Sequence, residues 1–240
     1  FAKYKALRNS AEFNGLTAAQ RKIIENELRD FRLSGAELPD TEKKRFADCQ
    51  DELARVCTLF SNNVLDATNA FTLVVEDAGE LKGLPEDVLE AAREAAARDG
   101  LAGWKLTLKA PCYIPVMQYA DNRALREKLY HAYATRASEF GDAARDNGPL
   151  IMQILKLRRE SARLLGFTNY AEVSLATKMA QKPAEVIGFL DDLARKALPF
   201  ARRDMAELEE FARGEMKLDR LNAWDLAYAS EKLRAKRYAF

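Results

Sequence analysis

Apolar residues return every three or four positions through most of this chain, which is the spacing of amphipathic helices packed on one side. The clearest stripe runs Phe46, Cys49, Leu53, Val56, Cys57, Phe60, Val64, Ala67 and Phe71. At 3.6 residues per turn these fall within an arc of about 120°, so the spacing predicts one long helix with a single buried face. Upstream, Thr17-x-x-Gln20 forms a capping box that opens a helix ending near "RLSGAELP". Gly35 suits the left-handed position after that helix, and Pro39 suits the start of the next.

The period changes twice. "FTLVVED" and "GWKLTLKAP" alternate apolar and polar residues, predicting a small strand pair near residues 72–76 and 104–109. Trp104, Leu106 and Leu108 would share one face, with Pro111 and Pro115 ending the second strand. Between the strands, "GLPEDVLEAAREAAARDG" reads as a helix bounded by Pro85 and Gly100. After Asp121, expected to cap the helix carrying His131, helical spacing resumes to the end. Pro149 and Pro183 open two further helices, and Pro199 is expected to kink or interrupt the second. The fold class is mainly α. The 1–240 region reads as a single helical region, with a subdivision into 1–120 (long helices plus strand pair) and 121–240 (helical array) as the finer alternative.

Composition narrows the function classes. The 38 Lys and Arg balance 37 Asp and Glu, leaving no electrostatic footprint for a nucleic-acid or anionic-membrane partner. No apolar stretch is long enough to cross a bilayer, and the three cysteines, with no glycosylation sequon and no signal peptide, point to a reducing compartment. Neither end carries a start or turn signal, so both read as cuts through a longer protein. Such a cut would expose an apolar patch and favour self-association.

Candidate chemistry is sparse. His131 is the one histidine, so the two-histidine turn of a zinc peptidase is not available here. Cys49 and Cys57 lie about 12 Å apart along one helix, too far for a disulfide, and read as core thiols. A zinc site from His131, Cys49, Cys57 and Cys112 would require a stripe cysteine to leave its core. On a helical wheel with Leu125 at zero, Leu129, Tyr133 and Phe140 fall between about 40° and 80°, while His131 falls near 240°. His131 therefore reads as a solvated residue beside Glu127. Arg136, near 20° on the same wheel, falls inside the apolar arc, and Arg126 lies on its flank near 100°. Arg136 is accordingly expected to be buried against a carboxylate from another element, the alternative being a packed stem whose head reaches water.

Four segments together resemble one known family: "FRLSGAELP", "WKLTLKAPCYIPVMQYADNRALREKLYHAYATRASEF", "LLGFTNYAEVSLATKMA" and "AWDLAYASEKLRAKRYAF". They are similar, in the same order, to the zinc metallopeptidase family of thimet oligopeptidase and neurolysin. The resemblance implies the helical lobe of a neurolysin-like two-lobed peptidase that cleaves short peptides with metal-activated water. It also implies zinc in the parent enzyme, with ligands outside this chain, because the similarity stops before the family's His-Glu-x-x-His motif. No residue here is assigned a catalytic, cofactor-binding or metal-binding role. The implied partners are short peptides and the missing catalytic lobe, and the chain alone is expected to be inactive. The alternative reading is a non-catalytic helical module that binds a peptide or a protein.

Overall fold

The computed structural model describes residues 1–238. It is built almost entirely of helices, with one two-stranded sheet among the described residues. Contacts divide the chain into two compact units, each assembled from two stretches: Phe1–Leu59 with Pro149–Leu193, and Phe60–Gly148 with Ala194 onward.

The first unit contains α1 (Ala2–Arg8), α2 (Glu12–Gly15), α3 (Ala18–Leu33) and the opening turns of α4 (Asp40–Ala70). Thr17 caps α3 as expected: its hydroxyl accepts from the Gln20 amide while the Gln20 side chain accepts from the Thr17 amide. The other end of α3 is closed by two backbone bonds. Ala36 N donates to Phe31 O and Gly35 N to Arg32 O, both at 3.0 Å, satisfying two orphan carbonyls of the last turn. Gly35 takes φ +81°, and a Cβ there would meet the Phe46 ring at 2.8 Å. The expected stripe on α4 is observed, with Phe46, Cys49 and Val56 buried and Leu53 and Cys57 half-buried. Cys49 has no exposure at all. Burial, and then the charge of Glu160, push its thiol pKa up, which makes it an inert core thiol rather than a nucleophile.

The second unit is built around the sheet. β1 (Leu73–Val75) pairs antiparallel with β2 (Trp104–Leu106), Leu73 opposite Leu106 and Val75 opposite Trp104. Both strands fall inside the expected segments, and Leu106 and Leu108 are buried on one face. Gly103, at φ +84°, lets the backbone turn into β2; a Cβ there would lie 2.3 Å from the Val75 carbonyl oxygen. α5 (Glu86–Arg98) begins after Pro85. α5, α6 (Ala110–Tyr119) and α7 (Arg123–Ala134) cover the core of Leu81, Leu106, Val116 and Leu129, and α11 (Leu226–Arg237) packs on α6. α8 (Gly148–Leu164) and α9 (Tyr170–Leu175) belong chiefly to the first unit, and α10 (Pro183–Glu215) is divided between the two.

Four local expectations are corrected. Pro111 starts a helix where only a strand stop was expected: it occupies the first turn of α6, where a missing N–H costs nothing, and Pro115 follows inside. Asn122 caps α7, accepting from Leu125 N at 3.2 Å, because the neighbouring Asp121 carboxylate is engaged by Tyr228 and Lys232. Of the kink or interruption expected at Pro199, the interruption does not occur, since α10 continues through it. α7 stops at Ala134, short of Phe140, and Ala137 adopts φ 49°. Phe140, placed in the apolar arc by the wheel, is 77% exposed.

Candidate functional site

The most heavily constrained polar centre lies in the second unit, where α6 passes into α7. The buried stripe of α7 consists of Leu125, Arg126 and Leu129. Arg126 is 1% exposed and Asp225 is fully buried, and the two are joined through Arg126 Nη2 at 2.9 Å. The remaining donors of Arg126 reach the Ala120 carbonyl at 2.7 Å and the Trp224 carbonyl at 3.3 Å. The guanidinium also lies 4.0 Å from the Tyr228 ring centroid, a cation–π contact in a dry setting. Asp225 receives two further partners, Arg123 Nη2 at 2.7 Å and its own turn's Asn222 N at 3.0 Å.

A cleft of about 460 Å³ adjoins this centre, lined by Arg123, Arg126, Phe211, Tyr228 and Lys232 among others. Asp121 sits at its edge, accepting from the Tyr228 hydroxyl at 2.7 Å and from Lys232 Nζ at 3.3 Å.

Burial alone would push the Asp225 carboxyl upward. The hydrogen bonds from Arg123, the Asn222 amide and Arg126 outweigh it and hold the group below the ordinary carboxylate range. Asp121 behaves alike, its burial overcome by the Tyr228 hydroxyl and Lys232. Tyr228 moves the other way, raised by burial and by its bond to Asp121. At neutral pH the two carboxylates therefore stay charged and the tyrosine stays neutral. A general acid or base needs a pKa near the working pH, so the arrangement suits holding structure or binding, not proton transfer.

The residues singled out in the sequence lie elsewhere. His131 is 60% exposed, with Nε2 3.9 Å from Glu127 Oε1 and its ring tilted against Trp224 at 5.3 Å. Arg136 is half-buried, and among the described residues the expected carboxylate partner is not there. Its Nε donates to the Tyr133 carbonyl at 2.8 Å and its Nη1 to Thr68 Oγ1 at 3.0 Å. The guanidinium stacks 3.5 Å from the centroid of the Tyr133 ring, whose neighbour Tyr113 lies parallel at 4.0 Å. The physical reason is the early end of α7. Once the backbone leaves the helix at Thr135, Arg136 folds back onto a terminal carbonyl instead of projecting into the core. The buried arginine with a carboxylate is Arg126, ten residues earlier. Its position on the flank of the apolar arc was the available signal.

Among the described residues no three His, Cys, Asp or Glu side chains come together as a group that could hold a metal, and no disulfide joins Cys49, Cys57 and Cys112. The donors present do not fit a zinc centre of the kind implied by the family resemblance.

The model of peptidase family M3 matches residues 116–240, and that of the neurolysin/thimet oligopeptidase N-terminal domain matches residues 1–43. The chain belongs to peptidase family M3. It is 48% identical to oligopeptidase A of Haemophilus influenzae over 238 residues, covering 98% of this chain and 35% of that protein. Against oligopeptidase A of Escherichia coli it is 46% identical over 241 residues, covering 100% of this chain and 35% of the relative. A protein described as a probable cytosolic oligopeptidase A from Arabidopsis thaliana is 42% identical over 246 residues, with 98% and 34% covered. The chain thus spans about a third of the length of these relatives.

Proposed function

We propose that this chain is the helical scaffold portion of a zinc-dependent peptidase that cleaves short peptides. In that role it supplies a wall of the substrate channel, contributes no zinc ligand, and is inactive alone. The observation that supports this reading is the peptidase family M3 match over 116–240, together with 46% identity to a peptidase over the whole chain. Zinc would supply an activated water in the complete enzyme. The described residues of this chain contribute packing and fixed charge. A cytoplasmic setting accords with the relative described as cytosolic; among the described residues no helix is long and apolar enough to cross a membrane.

A second reading, a non-catalytic module for binding a partner, draws support from α10. Ile187, Phe189, Leu190 and Phe200 are all exposed on it, and bare apolar helix surface marks places where another element docks.

Two measurements separate these readings. The 240-residue chain, supplied with zinc and a quenched fluorescent peptide, is expected to leave the peptide intact and to retain no stoichiometric metal by elemental analysis. One equivalent of zinc with chelator-sensitive cleavage would overturn the proposed inactivity. Sequencing beyond Phe240 then decides between scaffold and module: His-Glu-x-x-His there supports the peptidase, and a stop codon supports the module.

A further inference from the structure

A hollow of about 920 Å³ lies in the first unit. One wall is α3, where Lys22, Asn26 and Arg29 line the hollow. Their spacing of four and then three residues places them on one helix face, opposite the buried Ile24. The other wall runs from the last residue of α9, Leu175, to Gln181.

The charge of the lining is one-sided. Lys22, Arg29 and Lys178 contribute three cations, and no Asp or Glu lines the hollow. Arg29 is held by Asn26 at 3.0 Å and by the adjacent Asp30 at 2.8 Å, which orients it. Lys178 Nζ donates to Ser174 Oγ at 2.7 Å. Neither Lys22 nor Lys178 has a carboxylate within ion-pair distance among the described residues. A chain carrying almost equal numbers of cations and anions has thus left two lysines, beside an Arg29 already paired with Asp30, around one concavity with no carboxylate in its lining.

We propose that this hollow binds the carboxylate-bearing end of a short peptide, a ligand class that rests on the peptidase reading above. Cations around a concave wall focus the field and raise the local concentration of anions. The polar groups suit a peptide better than a bare ion. The Asn26 carbonyl oxygen is occupied by Arg29, which leaves its amide NH2 free to donate to a backbone carbonyl, and the Gln181 side chain stands on the opposite wall. Leu175 and the 99% exposed Met179 offer apolar contact for a ligand side chain, Met being well suited to varied partners. The volume falls within the range of about 300–1,000 Å³ typical of small-ligand sites. Three cations fall short of the roughly six or more phosphate contacts on which nucleic-acid binders depend.

The test is an anisotropy titration of the 240-residue chain with a short dye-labelled peptide, once with a free C-terminal carboxylate and once amidated. The free acid is expected to bind about tenfold or more tightly, and the Lys22→Glu, Lys178→Glu double variant to abolish that difference. Both lysines are exposed, so the variant should keep its circular-dichroism melting curve. Charge reversal at Arg159 and Arg163, which line a different hollow of the same unit, is expected to leave binding unchanged. Equal binding of acid and amide overturns the proposal, as does an equal loss from the Arg159 and Arg163 variant. Displacement of the peptide by inorganic phosphate, beyond the effect of chloride at matched ionic strength, also overturns it by reducing the hollow to a simple anion site. Binding is read here without cleavage. A longer parent protein that failed to cleave peptides would sink the functional reading and leave this result standing, and the converse holds equally.

Discussion

The two ends of α7 use the same residue type to opposite ends. At its start, Arg126 is fully enclosed and tied to an equally enclosed Asp225. Just beyond its end, Arg136 is half-buried and satisfied by a carbonyl, a hydroxyl and a tyrosine ring. An arginine inside the helix inherits the direction of its face and has to find a counter-charge when that face is buried. An arginine past the last turn is free to cap the helix that precedes it. Whether the helix continues decides which kind of arginine is obtained.

Mutations can break or sharpen that contrast. The largest effect is expected at Asp225→Ala, which leaves Arg126 buried without its carboxylate and should cost about 3–5 kcal/mol in urea denaturation. A loss below about 1 kcal/mol, the scale of a surface pair, would mean that water or a neighbour compensates and that the two arginines are not so different.

Acid titration of stability tests the same centre. The Asp225 carboxyl lies below its ordinary range when folded, so the stability it contributes is present above an unfolded pKa of about 4. That stability is lost as pH falls from there through the folded value. The Asp225→Asn variant should show a smaller loss between neutral pH and the acid limit than the parent chain. Parallel curves would contradict the assigned direction.

At the other end, Arg136→Ala is expected to cost about 1 kcal/mol, from one capping bond and one ring contact, measured in the same denaturation series. A cost equal to that of Asp225→Ala would erase the distinction between the two ends. Smallest of all is His131→Ala, an exposed position whose replacement should stay within about 0.5 kcal/mol.

Much of the fold is legible in local sequence because local rules determine it. The Thr17–Gln20 box, the apolar stripe of α4 and the alternation in Trp104–Leu108 each require only neighbours within a few residues, and each is observed. The end of α7 is not legible, because no glycine or proline marks it; Ala137 adopts the left-handed conformation without either signal. Adjacent Asp121 and Asn122 are equally good caps on paper, and only the distant Tyr228 and Lys232 decide between them. The partner of Arg126 is further away still. No periodicity links two residues so far apart, so the buried pair emerges only once the helices are placed.

The span of that pair carries a kinetic consequence. Arg126 and Asp225 are 99 positions apart, and joining them closes a long loop whose entropy has to be lost before the ion pair returns anything. A contact of this kind belongs to the late, native side of the folding barrier. Its removal should therefore leave the folding rate almost untouched and shorten the lifetime of the folded unit. On that view the buried pair does little to guide the chain to its structure, and acts chiefly to keep the second unit from opening once it has formed.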